Sequence, residues 1–193
     1  KIVGVLGKQI PWPTAPPVLK YEILSVFNSF GNDCGTSIFY KDYFIKKKHQ
    51  LDTVCFYSDV NSAAKRSILI GDIPYKDVPY AEDQLFGRDI IRAGYMKAYA
   101  SRGVVVHSND VRLRDFKARI FDETIGLRRV GIEVDKPSII LTMKVVIRSI
   151  ILDTIKTTLD KEYSWKRKMF WLVLNPFYQI QKWRGIRLAA SID

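Results

Sequence analysis

An α/β domain carrying a basic helical tail is the fold class this sequence predicts, and three observations predict it. Short Val/Ile-rich runs alternate with stretches whose apolar residues recur every three or four positions. Gly and Pro fall between the runs, where turns are needed. From Ser138 to Asp193 the pattern turns helical, with ten basic and four acidic residues, a net of +6 out of +11 for the whole chain.

Ile2 to Leu6 predict a first strand, ended by Gly7. Gly4 to Lys8 lack the spacing and the Ser or Thr of a phosphate loop and are set aside. Pro11, Pro13, Pro16 and Pro17 predict an extended linker in which no helix starts. Leu19, Ile23, Val26, Phe27 and Phe30 then fall at helical spacing, with Gly31 as the cap. Gly31 to Gln50 read as a polar, mobile loop. Thr53 to Tyr57 predict a strand, and the side chains of Ser58, Asp59, Asn61 and Ser62 predict caps for a helix from about Ala63. Pro74 and Pro79 bracket a loop before a helix from Glu82 to Ala93, with Leu85, Phe86, Ile90 and Ile91 inward and Gly94 as cap. Two strands, Met96 to Tyr99 and Val104 to His107, precede a helix built on Leu113, Phe116, Ile120 and Phe121 that stops near Gly126. The tail follows as a second domain from Ser138.

Composition bounds the function. Of 193 residues 47% are hydrophobic, enough for a buried core, and the +11 charge points to an anionic partner: a nucleotide, a nucleic acid or an acidic membrane surface. Cys34 and Cys55 cannot make a disulfide framework or a four-thiolate zinc site, and two histidines add little. The longest apolar stretch, Ser138 to Ile147, is broken by Lys144 and is well short of the roughly 20 residues a spanning helix needs. No signal peptide is visible, and a start at Lys1 is expected of an excised piece. Lys46 to Lys48 among Tyr40, Tyr43 and Phe44 read as a solvated loop rather than a single-strand nucleic-acid platform. Gln181 to Arg184 invert the Trp/Arg order of a processive-synthase motif and are set aside.

The residues that can carry chemistry are Glu82 and Asp83 at a helix start and His107 closing an apolar strand. Taken singly, the acidic pair complements a helix dipole and the histidine is a hydrogen-bonded strand end. Their order along the chain argues for more. Phe56 to Ala63 with Arg66, Ile73-Pro74-Tyr75, Ala81-Glu82-Asp83-Gln84, Ala93-Gly94-Tyr95 with Tyr99, and Val106-His107-Ser108-Asn109 together resemble family 2 glycosyltransferases, nearest to bacterial rhamnosyltransferase-type members. The resemblance runs from about Val3 to Gly131.

It implies a GT-A fold and an inverting transfer of a sugar, rhamnose among the options, from a nucleotide-sugar to a saccharide or lipid-linked saccharide in surface polysaccharide synthesis. It implies catalytic roles for Asp83, as general base, and Glu82, and substrate contacts from Ser58, Asp59, Asn61 and Gln84. It also implies that His107 contacts a divalent metal, Mg or Mn, on the donor diphosphate. No Asp-x-Asp occurs in the chain. The expectation is therefore an acceptor-side, C-terminal part of the catalytic domain over residues 1–137, inactive alone. The tail, 138–193, is expected to dock on the inner face of the cell membrane, placing the protein in the cytoplasm. The rival reading is a non-enzymatic basic module on anionic lipid or nucleic acid, which needs only a continuous basic face.

Overall fold

The computed structural model describes residues 1–31, 36–40, 54–109, 111–132 and 134–192. The expected loop from Gly31 to Gln50, with Cys34 and Lys46 to Lys48, lies largely outside them. The fold is mixed α/β. Its elements are β1 (Ile2–Ile10), α1 (Pro17–Asn28), β2 (Thr36–Phe39), β3 (Ser62–Ala64), α2 (Glu82–Arg92), β4 (Met96–Val106), α3 (Leu113–Arg129), α4 (Ile139–Leu159) and α5 (Trp165–Ala189). They divide into two compact units. The first holds Lys1–Ile10 and Ile23–His107; the second holds Pro11–Glu22 and Ser108–Asp193. The expected boundary at Ser138 falls inside the second unit.

The first unit is built on a four-stranded mixed sheet of order β2-β4-β1-β3. β1 and β4 pair in parallel at its centre, and β2 and β3 add antiparallel edges. β1 does not end at Gly7, and the two strands expected from Met96 to His107 are one. Both differences have the same cause, a slip in the β1–β4 register between Gly7 and Lys8 that lets each strand continue. A side chain on Gly7 would begin 2.2 Å from the Gly103 carbonyl oxygen and from Asn61 Nδ2, so only glycine lets the backbones approach there.

Val54 and Cys55 are helical, not strand, and the helix expected from about Ala63 starts later, at Arg66, passing into a π-helix over Ile68–Asp72. Ser62–Ala64 pair with Leu6 to Gly4 instead, because the free edge of β1 offers a ladder that the capping side chains cannot match. The core gathers Val3, Leu6, Tyr57, Ile90, Ile91 and Tyr99. Phe27 and Phe30 from the end of α1 join it edge-on, their ring centres 5.6 Å apart.

α2 buries Leu85, Phe86, Ile90 and Ile91, as the periodicity predicts, and Gly94 follows it with φ 81°. It also buries Gly87, whose added Cβ would lie 2.3 Å from the Cys55 carbonyl oxygen and 2.6 Å from Tyr57 Cβ. Gly87→Ala is expected to cost about 1–3 kcal/mol by overpacking, measured as a lower urea midpoint with an unchanged slope.

In the second unit α1 does start among the prolines. Pro17 takes the first helical position, where its missing N–H costs nothing, and the Asn175 side chain accepts from Val18 N at 3.0 Å. α3 runs past Gly126 to Arg129 and buries Phe116 and Ile120; Gly131, with φ 79°, follows its end. Lys20 is buried and paired with Asp160 (2.8 Å) and Glu162 (2.6 Å). The tail is helical, as expected, but α4 is turned inside out. It buries Asp153 and Thr157, and Asp153 accepts from Asn175 and Gln179 at 2.9 and 2.7 Å. Its isoleucines, Ile139, Ile140, Ile147, Ile151 and Ile155, stand in solvent.

Candidate functional site

The site is assembled in the first unit, at the carboxyl ends of the parallel pair β1 and β4, where sheets of this kind present their loops. A single 3₁₀ turn, Asp59–Asn61, is its hub. Gln9, buried near the end of β1, donates to Ser58 Oγ at 2.8 Å. Asn61 donates to the carbonyls of Lys8 and Gly103 at 3.2 and 2.7 Å, clamping the register slip. Gln84 on α2 donates to the Tyr57 carbonyl at 2.7 Å. The Asp59 backbone N–H donates to Asp83 Oδ2 at 3.3 Å, which ties the turn to the start of α2.

The residue before that helix is in the left-handed region: Ala81 has φ 64° and is buried. An L residue holds this conformation only when its surroundings impose it. It delivers Glu82 and Asp83 to the first helical turn, with Glu82 exposed and Asp83 half-buried. Asp83 Oδ1 accepts from the Gln84 backbone N–H at 2.7 Å. Burial raises the Asp83 carboxyl above its ordinary pKa, and the charges of Asp59 and Glu82 push the same way, while the two backbone N–H groups oppose them. Tyr75 donates to Asp59 Oδ1 at 2.5 Å and stacks on Phe86 with ring centres 4.6 Å apart. Burial, then the bond to Asp59, raises the Tyr75 phenol, so it stays a donor.

The structure thus brings together Ser58, Asp59, Asn61, Asp83 and Gln84, and stations Glu82 beside them. Ser58, Asn61 and Gln84, expected to contact substrate, each hydrogen-bond within the scaffold. Asp59 and Asp83 are the acidic pair at its face. His107 is half-buried just beyond β4, its backbone N–H donating to the Ile10 carbonyl at 2.9 Å. Among the described residues no hydrogen bond links its ring to the acidic pair. Nor does any group of three or more His, Cys, Asp and Glu side chains there form a metal cage. A lone imidazole fits a metal as one ligand among others supplied from elsewhere.

Sequence reasoning gave no role to Gln9 or Tyr75. Tyr75 stood inside the Ile-Pro-Tyr motif and could have been found there; Gln9 carries no local signal. No family model, curated protein or solved structure matches this chain.

Proposed function

We propose that the chain is the acceptor-side part of an inverting family 2 glycosyltransferase acting in the synthesis of a bacterial surface saccharide. One observation carries the reading: Asp83, in the first turn of α2, sits hydrogen-bonded to the Asp59 turn at the carboxyl ends of two parallel strands. A half-buried carboxylate with a raised pKa is suited to accept the proton of a sugar hydroxyl. As that proton moves to Asp83, the acceptor oxygen forms its bond to the anomeric carbon and the nucleoside diphosphate leaves from the opposite face. Asp59, fixed by Tyr75, keeps Asp83 basic by its charge, and Glu82 adds to that field. His107 would give one ligand to a Mg or Mn ion on the donor diphosphate, an ion that would neutralise charge on the leaving group. The test is sugar transfer by the complete enzyme, assayed by mass spectrometry across nucleotide-sugar donors with a saccharide acceptor. Turnover with a defined donor is expected; none with any donor would overturn the reading.

The exposed face of the tail supports a membrane-docking role for the same protein. No helix among the described residues is long and apolar enough to cross a membrane. Yet α4 and α5 leave large apolar side chains in solvent along their length, among them Ile140 68%, Leu159 73% and Trp165 71% exposed. Lys144, Arg148, Lys166 and Lys168 lie along the same helices, the mix that seats a helix in an anionic headgroup layer. Each such cation is worth about 1 kcal/mol near the surface and is screened by salt. Cosedimentation with phosphatidylglycerol vesicles at low salt is expected, weakened by high salt and by the Lys144→Glu, Arg148→Glu double variant. Equal binding to neutral and anionic vesicles, or to neither, would count against it.

A further inference from the structure

We infer that a basic groove within the second unit binds an acidic saccharide chain. The groove, about 480 Å³, is lined by Lys117 of α3, Lys136 of the connection after it, and Arg184, Arg187, Leu188 and Ser191 on and just beyond α5. Four cations from three separate segments face one concavity, and no acidic residue lines it among the described residues. Arg184 and Arg187 stand about one turn apart on α5, with Ser191 a turn further on, so the polar groups follow the helix axis.

Structural roles do not account for these cations. Elsewhere in the unit Lys20 pairs with Asp160 and Glu162, and Lys182 pairs with Glu22 at 2.7 Å. The carbonyls at the end of α5 are served by Arg128, which donates to those of Ala189 and Ile192, so Arg184 and Arg187 are not needed as caps. Among the described residues none of the four groove cations makes an ion pair. Arg187 donates to the Thr142 hydroxyl at 3.4 Å, a neutral partner. Yet Lys117 and Arg187 are half-buried, and cations drawn out of water without a counter-charge raise the free energy of the chain alone. A bound anion would offset that cost, and the paired N–H groups of arginine match a carboxylate.

The walls select among polyanions. No aromatic ring lines the groove among the described residues, whereas single-stranded nucleic acid is held largely by stacking on such rings. A concavity cannot enter the groove of a duplex. Leu188 is the one apolar lining residue among those described, which sets the groove apart from the oily face of α4. A narrow chain bearing carboxylates fits, with Ser191 placed to meet its hydroxyls. That the chain is a saccharide rests on the proposed function; the anion site does not.

The full chain is titrated by calorimetry with hexagalacturonate, with neutral maltohexaose and with a thymidine hexanucleotide. Saturable binding of hexagalacturonate is expected, weaker at higher salt, with none of maltohexaose. Arg184→Gln with Arg187→Gln should weaken it by about tenfold or more, and so should Lys117→Gln with Lys136→Gln from the other segments. Lys144→Gln with Arg148→Gln removes the same charge outside the groove and should leave the affinity unchanged. No saturable binding, or unchanged affinity in a groove variant whose thermal transition is intact, would overturn the site. An equal loss in the Lys144, Arg148 variant would also overturn it, by reducing the effect to net charge. Tighter binding of the hexanucleotide, or equal binding of maltohexaose, would overturn the acidic saccharide. None of these readouts needs turnover, so a failed sugar-transfer assay would strike the proposed enzyme and leave the groove standing.

Discussion

On the proposed reading, Asp83→Asn is expected to slow sugar transfer by about 10²- to 10⁴-fold, the usual contribution of a positioned general base. Asparagine keeps the size of the side chain but has one acceptor oxygen where Asp83 uses two, so it can keep the 2.7 Å bond from Gln84 N–H and gives up the longer 3.3 Å bond from Asp59 N–H, which leaves the start of α2 in place. Donor affinity, measured by calorimetry, should therefore hardly move. The acid limb of the rate profile gives a second reading. It should belong to a carboxyl titrating above the ordinary aspartate value and should vanish in Asp83→Asn. Asp59→Asn should shift that limb to lower pH, because it removes a negative charge that holds the Asp83 proton on. Wild-type turnover in Asp83→Asn would remove this residue from the mechanism.

The stability of the first unit is expected to rise by several kcal/mol between pH 7 and pH 10. Lys97 on β4 is fully buried and donates to the Phe56 carbonyl, with its ammonium 5.5 Å from the centre of the Phe39 ring. Desolvation lowers its pKa from 10.5 to about 7. Across that window the unfolded chain binds a proton that the folded chain does not, so stability increases with pH. At about 1.4 kcal/mol per pKa unit the full span is on the order of 5 kcal/mol. Below pH 7 both states hold the proton and the curve flattens. Above pH 10 the sign reverses, because Tyr57 and Tyr75 have raised pKa values and keep protons that the unfolded chain releases. Urea unfolding of the first unit, followed by tyrosine circular dichroism, should thus show a maximum near pH 10. Lys97→Met should flatten the rise. A wild-type curve without slope between pH 7 and 10 would show that Lys97 is charged in the folded state.

The helices were the legible part of the fold, because α2, α3 and the tail helices keep their apolar residues at helical spacing whatever lies around them. Strands and starts were less legible. Pro17 read as a breaker, but a proline at the first helical position is harmless, and the side chain that completes that end, Asn175, lies 157 residues away. The strand at Ser62–Ala64 has no pattern of its own and exists because β1 has an edge to fill. Nothing in the sequence marks Lys97 as buried, for a related reason: a central strand covered on both faces buries whatever residue falls there. At the site, Glu82 and Asp83 could be read from a helix start and a motif. The support from Gln9, 49 residues before its partner Ser58, could not.

The second unit joins Pro11–Glu22 to a stretch that begins at Ser108, and this sets an order of events during synthesis. Every residue of the first unit has been made once His107 is added. Pro11–Glu22 must wait for the other end of the chain: Val18 for Asn175, and Lys20 for Asp160 and Glu162. At about 5–20 residues per second, that is roughly 7–30 seconds in which the start of α1 has been translated but has no lasting partner. Closing so long a loop is entropically slow. During the wait the oily faces of α4 and α5 emerge as well, so the nascent chain is a natural client for chaperones until Asn175 on α5 reaches Val18.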